Sequence, residues 1–440
     1  MTRAAAGLSR YARDLPRARR FEGTTVNVLQ VAGEGVEHAL QDKAPEIKEL
    51  FGIDLVVTPV EIASMHTRAL ASLRSQAASF DLIDVLGFWV TEMVGGGYFE
   101  PLQPYLDDPV KTPADYDFAD FIPGVVDYAG FYDVERKRFG EGELYLVPGV
   151  VSTSAVMYYR ADLFDVAGLS PPATWEEYRA AAEALNVPGR SQYGTTVVGK
   201  VNPSLFLVDW YTQFVTRGGM LMSGSPAEGN YAPNLTSPEA VAALRGIVDL
   251  KAFAPPDVLE FGISESVQAM ASGRVAMQLM WTTMSGSLFD SRSSTVADRI
   301  AVAPMPGEGP FAGQAIRGGW GFGIPRNSLV KEAAWQALVY LTSRAFERYQ
   351  TATYLTTPNR RSVFEDPELR ASQPYLGAAR DALERARILE IAAIPETFEL
   401  IDVASRRFHA ALSGQEGVEE ALAKANEDWV EVLKRGGHLR

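Results

Sequence analysis

The chain has 440 residues, 47% hydrophobic and 22% charged, with a net charge of −14 and no cysteine. That length exceeds one compact core, the composition is that of a soluble globular protein, and no run of 18 apolar residues offers a membrane-spanning helix. The acidic balance argues against a nucleic-acid partner, which needs a basic surface, and suits a monomer; the lack of cysteine excludes disulfides, thiolate catalysis and Cys-ligated metal within the chain.

Residues 1–20 carry Arg3, Arg10, Arg13, Arg17, Arg19 and Arg20 among Ala and Leu. They lack the apolar stretch of a secretory leader and read as a poorly ordered basic tail. Thr25–Val31 is a buried-strand pattern, Val36–Leu50 has helical spacing, and Ile53–Val60 is a second strand. A helix over Met65–Ala78 and a strand over Phe80–Leu86 follow. Such alternation predicts a doubly wound parallel sheet with a ligand crevice at the carboxyl ends of its strands. Ser154–Arg160 is the next strand, and Thr174 with Glu177 forms a capping box before an apolar stripe. Ser237-Pro238-Glu239 starts another helix, and Asn202–Leu250 reads as largely helical. Val275–Trp281 and Ile300–Ala303 are strands, Gly319–Ile324 a Gly-rich strand, and Ser328–Thr342 an apolar helix. The last 80 residues are helical, closing on a helix with Val418, Leu422, Trp429 and Leu433 on one face and Gly436-Gly437 at its end. Strand–helix alternation that reappears late predicts a chain crossing between two lobes at least twice.

The constellations of chemistry are missing. VAGEGVEHAL (31–40) opens like a dinucleotide site, but His38 stands where a small residue is needed and no acid ends the second strand. The turn at Gly33-Glu34-Gly35 instead brings a helix N-terminus toward the crevice. There is no phosphate loop, nucleophile elbow or HExxH zinc motif; His38, His66, His409 and His438 are scattered, and Asp115, Asp117 and Asp120 lack the Gly and Glu of a calcium loop. No catalytic residue, cofactor or metal is therefore assigned. Carboxylate pairs are too many for the sequence to select one, which leaves a carbohydrate-active enzyme on an α/β scaffold as the alternative. Aromatics carry more information. Phe88-Trp89, Trp210, Trp281 and Trp320 stand beside turns or strand ends, where an indole face can meet the C–H side of a sugar; core packing is the competing reading for each. Arg317, beside Gly318-Gly319, and Arg360 can pair with an acidic ligand or serve in salt bridges.

Several segments resemble one family when read in order. FDLIDVLGFWVTEMVGGGYFEPLQPYL (80–106), YLVPGVVSTSAVMYYRADLFDVAGLSPPATWEEY (145–178), GRVAMQLM (273–280), APMPG (303–307), GGWGFGIP (318–325) and TPNRRSVFEDPEL (357–369) are similar to segments of the family 1 extracellular solute-binding proteins of ABC importers, which include the maltose-binding type. The resemblance covers nearly everything from Phe21 to Gly437. It implies a periplasmic-binding-protein fold of two α/β lobes, each a sheet flanked by helices, joined by crossover hinge segments. Lobe one is expected at 21–149 and 310–345, lobe two at 150–309 and 346–440. It also implies a periplasmic or extracytoplasmic location, a membrane permease as partner, a carbohydrate, polyol or sugar-acid ligand captured by hinge closure, and no catalysis. The candidate ligand contacts are Glu34, Phe88, Trp89, Trp210, Trp281, Arg317, Gly318, Gly319, Trp320 and Arg360. In one respect the chain departs from many relatives: Leu86 and Gly87 stand where acids precede the Trp of the first-lobe lip, and Asp84 lies two residues deeper.

Overall fold

Among the described residues thirteen strands run in chain order: β1 (Thr24–Val31), β2 (Ile53–Val60), β3 (Leu82–Leu86), β4 (Phe131–Asp133), β5 (Arg138–Phe139), β6 (Glu143–Leu144), β7 (Leu146–Thr153), β8 (Ala155–Arg160), β9 (Met222–Ser223), β10 (Ala232–Pro233), β11 (Met277–Trp281), β12 (Ile300–Ala303) and β13 (Gly318–Gly323). The structure is a computed structural model that describes residues 20–33 and 35–440. The basic tail, apart from Arg20, and Glu34 lie outside the described residues. The chain divides into two compact units. The first holds the described residues up to Ser152 together with Gly318–Gln373; the second holds Thr153–Arg317 and Pro374–Arg440. The chain thus passes from one to the other three times. The expected boundaries need one main change, since residues 346–373 belong with the first unit. Phe346 is part of that unit's core, and Asn359 and Arg360 are fully buried within it.

In the first unit the main sheet has the order β2-β1-β3-β13-β7. β1 runs parallel to β2 and to β3, but β13 is antiparallel to β3, with Trp320 opposite Leu86 and Phe322 opposite Asp84. The sheet is mixed rather than parallel because β13 arrives from the second unit and not through a right-handed strand–helix–strand crossover. The helix Lys331–Leu341 is buried at every position from Ala333 to Leu341. Its all-round apolar sequence is that of an interior helix, and it packs with Val26, Val28, Leu40 and Ile47 in one core. The helix expected at Met65–Ala78 spans Ile62–Leu73 instead.

In the second unit β8 is flanked by β11 and β12, both antiparallel to it. The capping box is present at Thr174 and Glu177, ahead of the helix Trp175–Ala184. Ser237 caps the helix Pro238–Leu250 through its hydroxyl. Between them the expected helical run is interrupted: Leu205–Tyr211 is a π-helix, and the β9–β10 ribbon intervenes before Pro238. The final helix, Val418–Arg435, buries Leu422, Trp429 and Leu433 and ends at Gly436.

Candidate functional site

The first unit presents its aromatics where β3 ends. The chain breaks there into a one-turn helix, Gly87–Trp89, which sets Trp89 edge-on to Trp320 of β13 with ring centroids 5.5 Å apart. The His66 ring meets Trp89 at 5.2 Å and places Nε2 2.7 Å from Glu92. Phe88 lies edge-on to Tyr128 at 6.3 Å. The absence of an acid at position 87 has a steric cause, because a Cβ there would stand 2.1 Å from Cζ of Tyr128. Asp84 does not compensate. It is fully buried, accepts a hydrogen bond from Gln30 Nε2 at 2.6 Å, and would touch a Cβ placed on Gly149. Trp89 and Trp320 are themselves buried, with 4% and 3% of their surface exposed, so neither displays the open face expected of it. Gly318 and Gly319 are main-chain members of β13; Gly319 has φ 140°, which favours a residue without Cβ.

In the second unit Trp281 ends β11 and is partly buried. Its indole N–H points to Ser204 Oγ at 3.4 Å, on the residue before the π-helix. The Tyr158 hydroxyl donates to the Trp281 carbonyl at 3.1 Å and bonds Ser285 Oγ at 2.8 Å, which fixes the strand end. Trp281 therefore combines a held orientation with partial exposure. Ser204 carries no motif, and only its contact with Trp281 marks it. Asp209, inside the π-helix, is a second residue that spacing did not single out. It accepts from Val198 N at 2.9 Å, and burial pushes its carboxyl up to about 7.

Three expected contacts are structural instead. Trp210 is fully buried, stacked on Phe214 at 4.8 Å and tilted against Phe408 at 4.9 Å, with its N–H donated to Ala240 O; helix spacing turns it inward. Arg360 is also fully buried. Its guanidinium donates to Thr342 O and Asp117 O, pairs with Asp120 and lies over the Phe121 ring at 4.0 Å. Arg317 is buried and donates to the carbonyls of Leu383 and Ala386, while its main chain pairs with Arg387. Buried guanidinium groups recruit carbonyls because an unmatched charge is costly there.

Known proteins resemble the chain over most of its length. The mannitol-binding protein of Pseudomonas aeruginosa is 26% identical over 396 residues, covering 85% of each chain. A probable amino-acid ABC transporter periplasmic-binding protein of Sinorhizobium fredii is 24% identical over 427 residues, 96% of this chain and 92% of that one. Among solved structures, an ABC transporter solute-binding protein of Agrobacterium radiobacter K84 in complex with ribitol superposes with a TM-score of 0.79 at 25% identity, covering 93% of this chain and 99% of that one. The model of the bacterial extracellular solute-binding protein family matches residues 35–346, and the chain belongs to that family.

Proposed function

We propose that the protein is the ligand-capturing component of an ABC importer, working outside the cytoplasm as a monomer alongside a membrane permease. Its ligand is a neutral polyol or a closely related sugar, taken up by closure of the two units and released unchanged. The observation that carries this reading is the match, over 85% of both chains, to a mannitol-binding protein; the likeness to a ribitol-bound relative supports it. The side chains fit a neutral ligand. Arg317 and Arg360, which would have drawn a sugar acid, are engaged by main-chain carbonyls and Asp120. Trp281 offers an indole face for the C–H side of a polyhydroxy chain. Ligand binding favours the closed form because the ligand contacts that form better.

Thermal-shift screening followed by calorimetry tests this with D-mannitol, ribitol, maltose, D-gluconate and a neutral amino acid. A ligand at 100 times its Kd adds about 2.7 kcal/mol to the folded state, so a polyol should raise the melting temperature most. Tighter binding of gluconate would overturn the neutral-ligand reading. Stabilisation by the amino acid alone would replace polyols with the class named for the Sinorhizobium relative. Turnover of maltose would point to a carbohydrate-active enzyme.

A further inference from the structure

β7 is the last strand of the first unit's sheet and carries the chain out of that unit after Ser152. One side chain holds its departing end. Asn359 donates from Nδ2 to Gly149 O at 2.6 Å and accepts at Oδ1 from the Ser152 hydroxyl. Its main-chain carbonyl accepts from Ile122 N at 2.9 Å. Asn359 is in turn fixed by Glu347 on the helix Arg344–Tyr354. Oε2 of Glu347 accepts from the main-chain N–H groups of Asn359 and Arg360, both at 3.0 Å, and Oε1 from Asn359 Nδ2 at 3.2 Å. Asn359 and Glu347 are both fully buried, so water does not compete for these bonds.

We propose that Asn359 is a positioning residue for ligand capture: by gripping Gly149 and Ser152 it sets the direction in which β7 leaves the unit, and hence the balance between open and closed forms. The inference rests on the reading that capture proceeds by closure. Asn359 itself needs no contact with ligand.

Glu347 makes the grip sensitive to pH. Both of its oxygens face N–H donors, so a proton on either one removes an acceptor that Asn359 or Arg360 uses. Burial pushes this carboxyl up to about 7, against the Arg360 guanidinium and the hydrogen bonds it accepts. The other ionisable groups near the cluster are Tyr116, which feels the Glu347 charge, Asp120, paired with Arg360, Arg344 on the same helix, paired with Asp117 and Asp120, and Asp84 against Gly149. The grip should loosen as pH falls below about 7.

The chain has no cysteine, so a spin-label pair can be placed cleanly at Leu329→Cys in the first unit and Val166→Cys in the second, where the native side chains are 85% and 90% exposed. Pulsed electron–electron distance measurement on the ligand-free, full-length protein is the test. Asn359→Ala should broaden and shift the distance distribution relative to the parent at pH 8, and Ser152→Ala should shift it the same way by less. Parent protein at pH 5.5 should resemble Glu347→Gln at pH 8, and Glu347→Gln should show no further change with pH. Parent-like distributions for Asn359→Ala and Ser152→Ala at both pH values overturn the proposal, as does a shift that appears only with a collapsed melting temperature, which marks a purely structural role. If Asn359→Ala does not fold, Ser152→Ala, which removes one hydrogen bond, decides. No ligand is involved: a polyol screen that fails sinks the functional reading alone, and unchanged distances sink this proposal alone.

Discussion

Trp281 and Trp210 look alike in sequence and differ in kind. Both indoles have a hydrogen-bond partner, Ser204 Oγ for Trp281 and Ala240 O for Trp210. Trp210 is enclosed by Phe206, Phe214 and Phe408, so truncation removes a large buried ring and leaves a cavity. Trp281 is only partly buried. Trp210→Ala should therefore cost about 3–5 kcal/mol of stability, read by urea unfolding, with ligand affinity little changed in the folded fraction. Trp281→Ala should do the reverse, weakening polyol binding by about 2 kcal/mol, as loss of an aromatic anchor does, with a small effect on unfolding. Calorimetry on both variants separates the roles; equal effects on affinity would show that burial does not distinguish them. The two arginines follow the same logic. A guanidinium in a sequence looks like an anion site until its partners are known, and here the partners include main-chain carbonyls of other elements.

The elements with local causes formed where local chemistry puts them. Thr174 and Glu177 cap one helix and Ser237 another because hydroxyl and carboxylate answer the free N–H groups of a first turn. The π-helix Leu205–Tyr211 has no such signal; it carries Asp209 into an apolar interior. The ordinary value of that carboxyl is 3.8 and its folded value is about 7. The folded state thus favours the protonated form, and the stability this group contributes is complete below pH 3.8 and lost as pH rises through about 7. Asp209→Asn removes that titration. Urea midpoints at pH 4.5 and 7.5 should fall further in the parent than in the variant, by the equivalent of a few kcal/mol. Glu347 titrates in both proteins and cancels from the comparison. Parallel pH profiles would show that Asp209 is ionised in the fold without penalty.

At the scale of the molecule, three passages between units make the first unit discontinuous in sequence. β13 lies between β3 and β7, and the helix Lys331–Leu341 fills the core beneath. A fragment ending at Ser152 lacks both, leaving β3 paired only with β1, β7 without its neighbour in the sheet, and the core without Trp335, Leu338 and Tyr340. Residues 1–152 alone should show no cooperative unfolding and little near-ultraviolet circular dichroism, and adding residues 318–373 in trans should restore both. Independent folding of the fragment would mean that the return segment decorates the unit rather than completing it.

Sequence alone determined the order of the longer strands and helices, the caps, the Gly-rich return strand and the family, since period, capping and turn chemistry act over a few residues and the family's segments stand in order; the short strands β4–β6, β9 and β10 were not legible in it. It placed β2 and β12 with their observed bounds and the last helix with its buried face. Only the tertiary structure decided which aromatics face inward, which way β13 runs, and what the arginines hold. Those outcomes depend on partners brought in from other elements of the chain. Phe408 closes over Trp210, Tyr128 excludes any side chain at Gly87, and Asp120 and Thr342 take up Arg360; no local pattern encodes such meetings, because burial is set by whatever packs on the far side.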